Sequence, residues 1–294
     1  MLTVAAVPIY HLLVKPAKPA DEKPPLRRGS SILEELTSAP LILRVVMWLQ
    51  IFQGLLAWLA PKLFVAIYGV VEISRTDEML CENWGRVWLA LHAGALVGSR
   101  GGVSTAGIIS VGLVLLLLGQ LKSLFNEDFL GHTRGWVTVY SVVKLASLWG
   151  LEYGPALKTQ DGLLAEAASK VIPGQAAIGW CLTLLVSADG LLMYFATDRY
   201  AAFWGYGPLD PISALCTISE GFSLVMVGAF WACLLRGVDL WKAYGVASIV
   251  YWLATVDATF ISKSLLDVSE VGTEVDLVLS FVAVVATEAW TVFF

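Results

Sequence analysis

Gln53-Gly54-Leu55-Leu56-Ala57-Trp58-Leu59-Ala60 is followed 136 residues later by Asp189-Gly190-Leu191-Leu192-Met193-Tyr194-Phe195-Ala196, with the glycine, both leucines and the final alanine in register. At the same offset Tyr68-Gly69 meets Trp204-Gly205, Gly85 meets Gly221 and Ala93 meets Ala229. A further shift of two aligns Gly107 with Gly245 and Ser110 with Ser248. Self-similarity at a fixed offset marks a duplicated unit. Each copy reads as an apolar helix, a loop beginning with the aromatic-glycine pair, a helix opening on glycine (Gly85, Gly221), and two more apolar helices. The copies fall at 41–152 and 174–294.

Composition supplies the solvent for these helices. The chain is 57% hydrophobic and 15% charged, against about a quarter charged in an ordinary soluble domain. That surplus calls for lipid. Apolar runs long enough to cross about 30 Å of hydrocarbon fall at 41–60, 84–98 (extended back toward 78), 103–124, 135–152, 174–197, 211–236, 239–263 and 272–294. The expected fold is therefore all-α: a polytopic integral membrane protein of about eight transmembrane helices in two four-helix repeats. Because four is even, both copies enter from the same side. They are then parallel, related by an axis along the membrane normal rather than inverted.

Residues 1–40 read as a surface segment and linker: Leu2 to Val14 is apolar but too short to span, and Lys15 to Ser30 is rich in proline and basic residues. Proline there prevents a continuing helix. The stretch 153–173 sets Leu163, Leu164, Ala167, Ala168 and Val171 at helical spacing among Asp161, Glu166 and Lys170, as an amphipathic linker on the membrane surface would. Basic residues gather on the side of the amino terminus, at Lys15, Lys18, Lys23, Arg27, Arg28, Arg100, Lys158, Lys170, Arg236 and Lys242. The positive-inside rule puts both termini on that side. Trp48, Trp84, Trp136 and Trp241 sit near predicted helix ends, where an indole bridges lipid and water.

The net charge of -5 is scattered, with no basic stripe to follow a phosphate backbone, which speaks against nucleic acid as a partner. Cys81, Cys181, Cys216 and Cys233 form no CxxC pair, which speaks against a zinc or iron-sulfur site.

The unit's layout, with Ala60-Pro61 closing the first helix, then Phe64, Tyr68-Gly69, a polar loop and the small-residue helix Gly85 to Leu96, resembles the DoxX-like small four-helix membrane proteins, here as a tandem duplicate. The second copy departs from it, with Thr197 in place of Pro61. The resemblance implies a four-helix membrane module and carries no functional residues.

Ionisable groups inside spans cost about 2.5–3.5 kcal/mol each on insertion scales, so each needs a partner, a wet cavity or a ligand. Lys144, Asp189, Asp257 and Glu288 fall within predicted helices four, five, seven and eight, and Glu220 opens helix six. They form either a solute or proton path or a set of structural pairs. His92 lies among Ala90, Ala93, Gly94 and Ala95, where small neighbours leave room for a flat ligand and the imidazole offers a nitrogen to a metal. Chlorophyll, carotenoid or haem would suit such a place, with Glu220 as a second pigment contact; the alternative is a histidine bonded to a neighbouring helix.

No catalytic triad or HExxH motif can be assembled, so a non-enzymatic protein is expected. The leading expectation is an accessory or scaffold subunit of an organellar membrane complex, a photosystem-antenna supercomplex of the thylakoid before one of the mitochondrial inner membrane. Other complex subunits and lipids are then its partners. Two alternatives stand beside it: a transporter of a small solute, protons or lipid using the intramembrane charges, and a membrane redox partner holding a cofactor at His92.

Overall fold

The computed structural model describes residues 41–99, 103–124, 132–158, 173–206 and 208–257. These form nine helices and no strand: α1 (Leu41–Leu59), α2 (Pro61–Ile67), α3 (Arg75–Gly98), α4 (Thr105–Leu124), α5 (His132–Lys158), α6 (Gln175–Phe195), α7 (Thr197–Trp204), α8 (Pro211–Leu235) and α9 (Leu240–Val256). The expected surface segment 1–40, the eighth span at 272–294 and linker residues 159–172 lie outside the described residues.

Among the described residues, α6 and α8 are long and apolar enough to cross a membrane, two helices where eight spans are expected. The apolar stretches Met47–Leu59 and Thr105–Gln120 are shorter. Helix α3 falls short through charge, carrying Arg75, Asp77, Glu78, Glu82 and Arg86.

The start of α3 is set by a capping box. Ser74 Oγ accepts from the Asp77 amide at 3.2 Å and the Asp77 carboxylate accepts from the Ser74 amide at 2.7 Å, satisfying donors that the first turn otherwise leaves free. In α8 the cap is Asp210, which accepts from the Ser213 amide at 2.8 Å, with Pro211 in the first turn. Both helices thus begin well before Gly85 and Gly221, which do not open them but lie inside, and Glu220 sits beside Gly221 within α8 rather than at its start. The segments leading to the aromatic-glycine pairs are the short helices α2 and α7. Gly69 (φ 81°) and Gly205 (φ 79°) end them in the left-handed conformation that favours glycine. The closing bonds repeat: Val70 N–H to Val65 O at 3.2 Å, and Tyr206 N–H to Ala201 O at 2.9 Å.

The mid-helix glycines bring backbones together. A Cβ at Gly85 would stand 2.7 Å from the Gly54 carbonyl oxygen, and one at Gly190 would stand 2.5 Å from that of Gly221. The α1/α3 and α6/α8 pairs therefore cross at backbone contact, where small residues gain dispersion energy. Gly190→Ala is expected to destabilise by about 1–3 kcal/mol, the range for overpacking; unfolding of the purified chain in detergent, compared with an alanine change at the open Gly174, checks it.

Helices α3 and α8 pack on each other at the centre, with α4 against α3 and α9 against α8. Where their first turns meet, Ser213 Oγ donates to Asp77 Oδ1 at 2.5 Å across a separation of 136 residues. Ser213 stands at the repeat offset from Asp77, and since both belong to first turns, α3 and α8 start at the same end of the bundle. Helix α5 packs on α4 and α6, joining the first half to the second.

Rings fill the core along one face of α3. Trp84 stacks on Trp88 (5.2 Å between centroids), Trp88 meets the His92 ring (4.9 Å), and Tyr251 caps Trp88 at 4.7 Å. Trp84 is consequently buried, not interfacial, whereas Trp48 and Trp136 are exposed. Large apolar side chains also cover the outside, with Phe195 and Leu59 among the most exposed.

Candidate functional site

Between the halves lies a cavity of about 90 Å³ lined from α3, α4, α5, α6, α7 and α8. One water needs roughly 10–15 Å³ by this kind of measure, so it has room for several waters or a molecule of a few heavy atoms. Two cations and two carboxylates face it: Arg86 from α3, Lys144 from α5, Asp189 from α6 and Glu220 from α8. Arg86 and Lys144 lie near the midpoints of their helices.

Arg86 is buried and donates from Nη2 to Asn83 Oδ1, with Glu82 at 3.9 Å from Nη1. Its guanidinium lies against Gly119, where a Cβ would approach Nε to 2.7 Å, so the absence of a side chain on α4 makes its place. Arg86 Nε has no hydrogen-bond partner, nor has Gln120 Oε1 on the same cavity. Lys144 is buried, its Nζ 5.9 Å from the centroid of the Tyr140 ring, within cation-π reach. Its charged neighbours are Asp189 and Glu220. Asp189 is half-buried and accepts a hydrogen bond from Tyr200. Glu220 is half-buried and feels Asp189, Arg86 and Lys144.

Of the residues singled out by sequence, Lys144, Asp189 and Glu220 thus meet at one site. His92 does not join them: it is buried on the aromatic face of α3, its Nδ1 3.0 Å from Tyr244 Oη and its Nε2 without a partner. The space beside Gly94, expected to admit a flat ligand, is occupied by Ile108 and Phe230. Asp257, at the end of α9, accepts a hydrogen bond from Tyr194 Oη and ties α9 to α6. Glu288 lies outside the described residues. Sequence reasoning missed Arg86, although it falls inside the predicted span 84–98, and missed Tyr200 and Gln120, whose types give no warning in an apolar chain.

Across the 136-residue offset the chemistry here is one-sided. Residues 136 before Asp189, Tyr200 and Glu220 are Gln53, Phe64 and Trp84. Gln53 Nε2 donates to Tyr68 Oη at 2.9 Å, and the Phe64 and Trp84 rings pack with centroids 5.1 Å apart. Aromatic packing in the first half corresponds to charged lining in the second.

Compared with family models, curated proteins and solved structures, the chain matches none.

Proposed function

We propose that the chain is a polytopic membrane protein of about eight spans, two parallel four-helix repeats enclosing a site through which a small polar solute passes. The observation that carries it is the convergence of Arg86, Lys144, Asp189 and Glu220, from four helices of both halves, on one cavity. At about 2.5–3.5 kcal/mol per buried charge on insertion scales, a bundle serving only to hold neighbours together gains nothing from keeping four of them around open space. Sites near mid-helix between repeats suit a solute path. The purified full-length chain in proteoliposomes should speed shrinkage and reswelling after an osmotic step in small polar solutes. Rates equal to protein-free vesicles would sink the idea.

The accessory-subunit reading is supported by a different observation, the exposure of large apolar side chains such as Phe195, Leu59 and Phe52, which call for lipid or partner subunits. A pigment at His92 would use the unpartnered Nε2. Isolation in mild detergent, with an absorption spectrum and identification of co-purifying subunits, tests both: a colourless chain without partners rejects them.

A further inference from the structure

We infer, resting on the reading of the cavity as a solute site, that its ligand is a small aliphatic zwitterion carrying an ammonium and a carboxylate a few bonds apart. The lining charges divide by half of the chain: both cations, Arg86 and Lys144, belong to the first half, and both acids, Asp189 and Glu220, to the second. No ion pair within 4.0 Å joins Lys144 to Asp189 or Glu220 among the described residues. Charges of both signs thus line the cavity without Lys144 closing on either acid, which leaves a place for a dipole.

The alternatives fit less well. A simple carboxylate would satisfy Lys144 and Arg86 while pressing a like charge on Asp189 and Glu220, and a simple amine would do the reverse; like charges set against each other at close range cost several kcal/mol. A zwitterion in the cavity meets lining groups of both signs. Leu80, Val87, Met193 and Leu224 complete the lining with apolar surface, which suits a short aliphatic side chain. The volume excludes large ones.

The test uses the full-length chain in nanodiscs of phosphatidylglycerol, so that no zwitterionic headgroup competes, titrated calorimetrically with alanine, propionate and ethylamine at neutral pH. Alanine is expected to bind at least about tenfold more tightly than either analogue, a factor worth about 1.4 kcal/mol. Asp189→Asn should erase that preference, while Asp189→Glu, which keeps the charge, retains it and shows that the bundle is folded. Propionate or ethylamine binding as well as alanine overturns the zwitterion but leaves the solute site standing. Failure of all three probes, together with vesicles that show no flux, removes both.

Discussion

Lys144→Met is expected to abolish solute flux and to destabilise the chain by about 1–3 kcal/mol, the cost of leaving buried polar groups short of a partner. The cost is moderate because, among the described residues, Lys144 makes no ion pair within 4.0 Å of Asp189 or Glu220 and both acids are only half-buried. The loss comes from what is left behind: two neighbouring carboxylates facing each other with one cation fewer. Neutralising the partner as well should therefore repair the fold. Lys144→Met/Asp189→Asn keeps an acceptor for Tyr200 and leaves Arg86 opposite Glu220, so its stability should return to within about 1 kcal/mol of the parent, while flux stays absent. Such non-additivity is the signature of residues sharing one network. Unfolding titrations in mixed micelles, with flux assays, on the parent, Lys144→Met, Asp189→Asn and the double variant measure it; a double variant no more stable than Lys144→Met would show that the two groups are not coupled.

Trp88→Ala should cost about 3–5 kcal/mol, the range for removing a large buried aromatic. Trp88 is 2% exposed and touches Trp84, His92 and Tyr251. Its deletion empties the centre of the ring column rather than one edge. The indole N–H has no acceptor, so Trp88→Phe loses volume and no hydrogen bond, and should cost about 1–2 kcal/mol less than the alanine variant. A phenylalanine variant as unstable as the alanine one would mean that the N–H, not the packing, matters there.

Helix positions were largely readable because hydrophobicity alone sets them: the runs at 103–124, 174–197 and 211–236 correspond closely to α4, α6 and α8. The charged first turns of α3 hid its start. Hydropathy treats Arg75, Asp77, Glu78 and Glu82 as loop, although Ser74 and Asp77 stand at capping-box spacing and mark a helix start. The same bias concealed Arg86, which looks like the tail of that polar stretch. Lys144, Asp189 and Glu220 were visible as charges out of place. Their convergence was not, because it depends on how α5, α6 and α8 are rotated about their axes. Glu220 was grouped with His92 as a pigment contact, yet the structure sets it with Lys144 and Asp189. Nothing local distinguishes a histidine held by Tyr244 from one awaiting a metal.

The bond between Ser213 and Asp77 fastens the two halves at the first turns of α3 and α8, with Asp77 also held by its own cap. Arg86 stands nine residues further along α3, about 13 Å at 1.5 Å per residue. Any rocking of one half on the other then has its fulcrum at that end, and displacement grows with distance along the helices, as in a pair of tongs. The cavity sits partway along the arms. On the proposed reading as a solute path, a given angle of opening would widen the cavity toward the carboxyl-terminal ends of α3 and α8 more than toward the fulcrum, so the two ends of the path would be served unequally by the same motion.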